Sequence, residues 1–225
     1  MSGDLTPYLQ PTKHAIDEQC IYEYGFGGSS SNISSYDLGA ECDRSAWLKS
    51  RIVGKGIKDA RLLRYFQSCK DHKKRVIYWL EGCGVEVWDQ NKQLSFADFK
   101  AKSRIDGMAL GVKEAPEKNH LLSIRPLQDK AFKDVIKNGM PNKDKIKINI
   151  DMNLLGVDRC LYIAVNKNND EIHIERIKAD KKFAKAQLTR SERIVSMTSP
   201  PARIGNGKPS WFQCKICPVR EECFK

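Results

Sequence analysis

The chain has 225 residues and 40% hydrophobic content, which is enough to bury one globular core. Its 39 Lys and Arg residues exceed its 28 Asp and Glu residues, and the net charge of +11 favours nucleic acid or an acidic protein surface as a partner. No apolar run approaches the ~18 residues of a membrane span, and residues 1–19 contain no apolar signal-peptide stretch. We therefore expect a cytoplasmic protein with no membrane contact, whose eight cysteines stay reduced.

The first half of the chain begins with a polar segment, residues 1–35, which contains a Gly/Ser-rich run and is predicted to be a flexible lead-in. A short helix is predicted over 41–48, and a longer one over 59–81, where apolar residues recur at helical spacing. Residues 84–88 and 93–96 flank a short polar turn and are predicted to pair as a hairpin.

The second half alternates strands and helices. The predicted elements are strands over 105–112 and 120–124, helices over 129–138 and 143–155, a hairpin of 160–165 with 171–177, and a basic helix over 180–197. This order predicts an α/β domain with a mixed sheet flanked by helices. We expect one domain over 36–225, with a helical part at 36–84, a sheet core at 85–178, and a helix with a Cys-rich tail at 179–225.

The C-terminal tail carries Cys214, Cys217 and Cys223 in a C-x2-C-x5-C pattern. Three thiolates at this spacing bind one side of a metal site, and a fourth must come from elsewhere in the chain. Four thiolates hold either tetrahedral zinc or an iron–sulfur cluster. The chain has no second C-x2-C pair of the kind a zinc ribbon uses, which favours a cluster. We expect Cys42, in a polar segment that starts the first predicted helix, to be the fourth ligand.

A second group of residues has the spacing of a nuclease active site. Asp106 stands at the start of one predicted strand, and Ser123 and Arg125 alternate with apolar residues on the next. In such a site, the second strand would carry Glu-x-Lys downstream of the Asp. Here Ser123 and Arg125 occupy the Glu and Lys positions.

Several segments together resemble the PD-(D/E)XK nucleases of the RecB type, in the iron–sulfur subgroup that includes the CRISPR-associated RecB-like exonucleases and their phage-encoded relatives. The resemblance runs from about residue 32 to residue 223. The segments that carry it are Cys42-Asp43-Arg44-x-x-Trp47, Arg61-Leu62-Leu63-Arg64-x-Phe66, residues 84–88, Ile105-Asp106-Gly107, residues 154–168 and Trp211-Phe212-x-Cys214-x-x-Cys217.

The resemblance implies a restriction-endonuclease-like core and a 4Fe-4S cluster on Cys42, Cys214, Cys217 and Cys223. It also implies that most of the active site is lost. The family has Glu-x-Lys where this chain has Ser123 and Arg125, and a Gln/Tyr motif facing DNA where this chain has residues 145–151. Of the core catalytic set only Asp106 is retained, so the remaining positions are vestigial.

One firm carboxylate is a poor Mg²⁺ site, and serine is a weak ligand for a hard cation, so Mg²⁺ is not expected. Arginine stays protonated and does not act as a base. Our hypothesis is that Arg125, with Lys147, pairs with Asp106 and fills the place of the metal with fixed positive charge. Two spare carboxylates, Asp151 and Glu114, are candidates to rescue catalysis, and Asp151 is favoured because it lies on the facing helix.

The sequence therefore predicts a pseudo-nuclease that acts by binding. Its partner is DNA, contacted by Lys143, Lys145, Lys147 and Arg125, or a host nuclease or defence complex, which would make the chain a phage anti-defence or anti-CRISPR protein. The alternative is an active Mg-dependent DNA exonuclease with a rearranged site, used in phage recombination or DNA processing. A third hypothesis is a subunit whose active partner supplies the chemistry. For the lysines, the plain interpretation is a solvated helix face.

Overall fold

Two mixed sheets form the centre of the molecule in the computed structural model, which describes residues 10–25, 32–51 and 59–225. The larger sheet contains, in spatial order, β2 (Glu86–Trp88), β5 (Gly107–Leu110), β6 (His120–Leu127), β7 (Arg159–Asn166) and β8 (Ile172–Lys178). In it, β6 and β7 are parallel and the other neighbours are antiparallel. The smaller sheet contains β1 (Ile33–Ser34), β4 (Ala101–Arg104) and β3 (Gln93–Phe96), with β1 parallel to β4.

Helices cover both faces of the larger sheet and one end of the smaller one. The described helices are α1 (Pro11–Tyr24), α2 (Asp43–Lys49), α3 (Ala60–Gly82), α4 (Asp129–Asn138), α5 (Asn142–Leu155), α6 (Lys181–Ser196), α7 (Phe212–Lys215) and α8 (Arg220–Cys223). A short 3-10 turn covers Asp37–Gly39. Within the described ranges, no helix is both long and apolar enough to cross a bilayer.

Strands β6 and β7 send alternate side chains to two different cores, as the pleat of a strand requires. On one face, Leu122 and Ile124 join a hydrophobic cluster with Val76 and Ile77 of α3. On the opposite face, the neighbouring side chains of β6 and β7 join a cluster with α4 and α5. Ser123 and Arg125 alternate along β6 with Leu122 and Ile124, so they face α5 and not α3.

Helix α5 is buried along most of its length, including polar residues. Asp144, Lys147, Asn149 and Asp151 are all buried there, beside apolar Ile148. The helix packs against β6, β7, α6 and the 3-10 turn, so it has little free face. It ends at Gly156, whose φ of 69° is a conformation that glycine adopts without strain.

Most of the predicted elements are confirmed. The structure contains helices and strands at the predicted positions 41–48, 59–81, 105–112, 120–124, 129–138, 143–155, 160–165, 171–177 and 180–197, with shifts at their ends. The mixed α/β class is confirmed as well. Two short strands, β1 and β4, were not predicted, because each is only two to four residues long and neither shows a clear alternation of apolar and polar residues.

The predicted pairing of the first hairpin is wrong. Strands β2 and β3 exist and a turn joins them, but they do not form a hairpin, because β2 pairs with β5 and β3 pairs with β4. The reason is that Val85 packs with α3, whereas Phe96 packs in a separate core under the smaller sheet. Residues 1–35, predicted as a lead-in, contain helix α1, whose Asp17 forms an ion pair with Arg64 of α3, and strand β1. The Gly/Ser-rich run of this segment lies outside the described residues.

Candidate functional site

Asp106 lies just before β5, with both carboxylate oxygens engaged. Its Oδ2 accepts a hydrogen bond of 2.7 Å from the backbone N–H of Ile124 on β6. Its Oδ1 is 2.5 Å from Nζ of Lys73 on α3. The prediction that Arg125 and Lys147 pair with Asp106 is therefore wrong, because those two side chains face α5 on the other side of the sheet. The positive charge next to Asp106 comes from Lys73.

Arg125 instead pairs with Asp144 at the start of α5. Its Nε lies 3.2 Å from Asp144 Oδ1, and both side chains are largely buried. Tyr162 of β7 donates a hydrogen bond of 3.3 Å to Asp144 Oδ2, and the ring centroid of Tyr36 lies 4.7 Å from the Arg125 guanidinium. Burial is the main cause that raises the pKa of Tyr162, and the adjacent Asp144 raises it further. The hydroxyl therefore stays a hydrogen-bond donor.

One turn further along α5, Lys147 pairs with Asp151 by hydrogen bond and charge. Lys147 Nζ also donates to Ser103 Oγ of β4 at 3.2 Å, and Ser103 Oγ lies 2.8 Å from Ser35 Oγ. Burial raises the pKa of Asp151, and the adjacent Lys147 opposes that effect. We call Ser123, Arg125, Asp144, Lys147 and Asp151 the inner polar cluster. Its two cations balance its two anions.

The inner polar cluster is incompletely hydrogen-bonded. Within the described chain, the buried side-chain oxygen and nitrogen atoms without a hydrogen-bond partner all belong to it: Ser123 Oγ, Arg125 Nε and Nη2, Asp144 Oδ1 and Asp151 Oδ1. Arg125 Nε and Asp144 Oδ1 are near enough for attraction but poorly aligned for a hydrogen bond. Buried polar atoms are normally paired, and concentrations of unpaired ones mark functional positions or water sites.

The four cations predicted to contact DNA fall into two groups. Lys143 and Lys145 are exposed on α5, where they can reach a polyanion. Lys147 and Arg125 are directed inward and engaged by Asp151 and Asp144. The interpretation of Lys147 as part of a solvated face is wrong, since α5 is packed on most sides. The other spare carboxylate, Glu114, does not join the inner polar cluster.

A cavity on the α3 side of the sheet was not predicted from the sequence. Lys70, Lys73, Lys74 and Ile77 of α3 line it together with Asp106 and the turn residues Gln90 and Asn91. We call this cavity the lysine pocket. The signal was present in the sequence, because positions 70, 73, 74 and 77 share one face of a helix. It is a weak signal, because lysines on one face of a helix usually form a solvated surface.

The structure brings Cys42, Cys214, Cys217 and Cys223 around one small cavity. Cys42 immediately precedes α2, and the other three lie in the tail around α7 and α8. Arg44 Nε donates to Cys223 Sγ at 3.2 Å, and Ser45 Oγ lies 3.6 Å from Cys217 Sγ. Burial is the main cause that raises the pKa of Cys214, and the neighbouring thiols raise it further.

Within the described ranges, no three His, Cys, Asp or Glu side chains converge on a point where one metal ion would sit. A zinc ion needs its thiolates about 2.3 Å away. Four thiolates can alternatively hold an iron–sulfur cluster. Hydrogen bonds to the sulfurs, such as that from Arg44, are one of the means by which proteins tune such clusters.

No protein-family model and no curated protein matches the sequence. Solved structures do match. LHK-Exo, an alkaline exonuclease from Laribacter hongkongensis, is 11% identical, with a TM-score of 0.55 over 79% of this chain and 90% of its own. Its complex with dAMP gives a TM-score of 0.54 at 12% identity, over 77% and 90% of the two chains. SSO0001 gives 0.51 at 13% identity, over 94% and 95%.

The fold is nuclease-like. Identities this low carry the architecture and not the chemistry, so what this nuclease-like chain can do depends on its own residues. Those residues place a lysine on Asp106 and a balanced set of ion pairs on the opposite face. They also leave the lysine pocket beside Asp106 lined by two further lysines.

Proposed function

We propose that the chain binds nucleic acid without cleaving it, as a pseudo-nuclease. The observation that carries the proposal is the neutralisation of every carboxylate near the expected active site. Asp106 is paired with Lys73, Asp144 with Arg125, and Asp151 with Lys147. Mg²⁺ prefers carboxylate oxygens that are free to coordinate it. A cation entering the inner polar cluster would add net positive charge to a buried region that is already balanced.

The residues on β6 support the same proposal. A metal-dependent nuclease needs ligands that fix the ion and a group that positions or deprotonates water. Ser123 offers a neutral hydroxyl, and arginine is a cation that does not serve as a general base. Neither replaces the Glu or the Lys of an active site, so binding is the activity that survives.

Charge and exposure support nucleic acid as the partner. The net charge is +11, and Lys143 and Lys145 are exposed. A neighbour with this fold was solved with dAMP. Binding that depends on phosphate contacts weakens steeply with salt, because each neutralised phosphate releases counterions.

Fluorescence anisotropy of labelled single- and double-stranded DNA in EDTA, over a series of salt concentrations, tests the binding proposal. We expect the affinity to fall steeply with salt. The Lys143→Gln/Lys145→Gln variant should lower the salt slope by about 2, because each lysine that no longer touches a phosphate lowers it by about 1. The control is Lys130→Gln/Lys137→Gln on α4, which makes the same change in net charge. No detectable DNA binding at low salt would refute the proposal.

One observation favours the alternative of an active nuclease with a rearranged site. Asp144 and Asp151 each have an oxygen without a hydrogen-bond partner, and both face the position of the lost Glu-x-Lys. If they formed a migrated metal site, an Asp144→Asn or Asp151→Asn substitution would abolish cleavage while an Asp106→Ala substitution would not. The anti-defence role, the host protein partner and the subunit hypothesis stay predictions from the sequence, because no described contact identifies a partner.

For the cysteine cavity we propose a 4Fe-4S cluster held by Cys42, Cys214, Cys217 and Cys223, with a structural role. It would tie α2 to the C-terminal tail and so close a loop of most of the chain. Arg44, Arg203 and Arg220 line the same cavity and would balance the negative charge of a thiolate-bound cluster.

Anaerobic purification followed by iron, sulfide and zinc analysis tests this cofactor. We expect iron and sulfide in equal amounts, and their loss in Cys42→Ser. That variant should lose stability on the order of 5 kcal/mol, the scale of a cross-link that closes a loop of more than about 100 residues. The exposed Cys83 provides the matched control, because Cys83→Ser should keep the cluster. Zinc at one equivalent without iron would favour the zinc alternative.

A further inference from the structure

Strand β8 lies at one edge of the larger sheet, and in the parts of the chain that the structure describes it pairs only with β7. The N–H of Asn166 donates to the carbonyl of Glu171 at 2.8 Å, and the N–H of Ala179 donates to the carbonyl of Asp158 at 3.0 Å. The odd-numbered residues of the strand therefore bond to β7. The N–H and C=O groups of its even-numbered residues, within 172–178, are directed to the outside of the sheet.

Two large apolar side chains on this edge reach solvent. Ile172 and Ile174 are 45% and 51% exposed. In the register of the sheet they stand beside Val165 and Ile163 of β7, which are buried in the cluster under α3. The apolar face of the core thus continues to the sheet edge and ends in contact with water. An edge with both unpaired backbone groups and apolar side chains is suited to the addition of another strand.

The charges of β8 favour a second copy of the same strand as the partner in one register. Two antiparallel copies related by a two-fold axis place residues of the same face opposite each other only when the axis passes through a residue. An axis through Glu175 or Arg176 would place that residue opposite its own copy, and like charges directly opposite each other destabilise a sheet. An axis through His173 would place Glu171 opposite Glu175 of the second copy.

An axis through Ile174 avoids these repulsions. Ile174 then lies opposite its own copy, and His173 lies opposite Glu175 of the second copy. Within one chain the His173 Nε2 atom is already 2.8 Å from Glu175 Oε1, so these side chains share a face and two such pairs would meet across the contact. Ile172 lies opposite Arg176, whose long apolar stem can cover the isoleucine.

We propose that two copies of the chain associate through β8, antiparallel and with the two-fold axis at Ile174. In this register the outward N–H and C=O groups of Ile172, Ile174 and Arg176 all face a partner residue, and each facing pair exchanges two backbone hydrogen bonds. Each copy contributes five strands, so the joined sheet would have ten, which is within the usual range of open twisted sheets. The association does not depend on nucleic-acid binding.

The two-fold axis would also place the same face of both sheets on one side. Helix α5 packs on the face of the larger sheet opposite α3, so the two copies of α5 would lie on one side of the joined sheet. Both copies would then carry the exposed Lys143 and Lys145 on that side. A polyanion long enough to reach both pairs would be held at two points. This consequence, unlike the pairing itself, rests on the proposed function.

Light scattering of the full chain after size-exclusion chromatography, over a series of protein concentrations, tests the association. We expect the mass to rise from that of one chain to that of two. Ile174→Lys and Ile174→Glu should each raise the dimer dissociation constant by at least about 10-fold, because each places like charges opposite each other and removes the central apolar pair. An equimolar mixture of the two variants should restore the dimer, since it places opposite charges across the axis.

Ile136→Lys is the matched control for the charge substitutions. Ile136 is an isoleucine of similar exposure, 53%, but it lies on α4 and not on a sheet edge. This variant should keep the dissociation constant of the wild type. Circular dichroism verifies that every variant is folded.

Cysteine substitution tests the register. Facing residues of a hydrogen-bonded pair have Cα atoms about 5.5 Å apart, a separation that a disulfide bridges. Ile174→Cys should therefore form a linked dimer under mild oxidation, visible on a non-reducing gel. In the same register the two copies of Ile172 are displaced along the strands by about 13 Å. Ile172→Cys should accordingly give no more linked dimer than the wild type gives through its own cysteines.

The possible outcomes bear on the contact alone. A chain that stays monomeric at every concentration would overturn the proposal, and so would a dimer that Ile174→Lys leaves intact, because the contact would then lie elsewhere. Linking through Ile172→Cys in preference to Ile174→Cys would contradict the register. None of these measurements uses nucleic acid, so their failure would leave the proposed function unaffected.

Discussion

The two sides of strand β6 handle charge in opposite ways. On the α5 side, Lys147 is buried, Arg125 is largely buried, and each is matched by an aspartate. On the α3 side, Asp106 is matched by Lys73, but the adjoining lysine pocket keeps an excess of positive charge. One side is closed and neutral, and the other is open and positive.

This difference indicates which side of the nuclease-like fold can present charge to a ligand. A buried face must neutralise its own charges, because an unpaired buried ion costs several kcal/mol. An exposed face is under no such constraint and can present charge to a ligand. The inner polar cluster therefore contributes to the structure, and the α3 side is free to bind.

The largest expected effect is on the closed side. Lys147→Met should lower the free energy of unfolding by about 3–5 kcal/mol, because Asp151 would be left buried without its partner. Chemical denaturation measures this loss. Lys145→Met is the matched control on the same helix, and since Lys145 is exposed it should change stability by about 0.5 kcal/mol or less. Equal effects of the two substitutions would contradict the account of a closed face.

The next effect is that of removing both members of the buried pair. Lys147→Met/Asp151→Leu should recover most of the stability lost in Lys147→Met, because two apolar side chains of similar volume remove both buried charges. The comparison uses the same denaturation experiment. If the double variant is as unstable as the single one, packing and not charge governs this position.

The same pair predicts a dependence on pH. Burial raises the folded-state pKa of Asp151 above its unfolded value of about 3.9. The folded protein thus binds the proton more tightly, and this contribution to stability is complete below the unfolded pKa and is lost as the pH rises through the folded pKa. As the pH rises through this window, the free energy of unfolding of the wild type should fall relative to that of the double variant. The total loss should be about 1.4 kcal/mol for each pH unit that separates the folded and unfolded pKa values of Asp151. Denaturation of both proteins over a pH series measures this loss, and a relative stability that rises with pH over that window would contradict the direction.

The smallest expected effect is on the open side. Lys73→Met should change the free energy of unfolding by about 1 kcal/mol or less, because the Lys73 side chain is 30% exposed and water screens its pair with Asp106. Chemical denaturation of Lys73→Met and Lys147→Met under the same conditions compares the stability lost on the two faces. A loss in Lys73→Met as large as that in Lys147→Met would contradict the contrast between an open and a closed face.

The sequence predicted those parts of the fold that local patterns specify. Apolar residues recur at helical spacing in helix α4, which is followed by Gly139, and β7 and β8 flank a polar turn, so these elements were located correctly. Strand pairing was harder. The turn between β2 and β3 looked like that of a hairpin, but the partners of these strands lie elsewhere in the chain, and no local pattern records that.

Site residues were predictable in identity but not in pairing. Asp106, Ser123 and Arg125 are recognisable from their spacing, yet the side of the sheet that each one faces decides its partner. Lys73 was missed as the partner of Asp106 because 33 positions separate them. Lysine is usually a surface residue, and only the packing around α5 reveals Lys147 as buried.

The most direct test of the central claim is a cleavage assay on linear single- and double-stranded DNA with Mg²⁺ or Mn²⁺, using anaerobically purified protein beside Asp106→Ala. We predict that the wild type binds the DNA and leaves it uncut, as the variant does. Cleavage by the wild type that disappears in Asp106→Ala would contradict the account, because it would make Asp106 a metal ligand despite its pairing with Lys73.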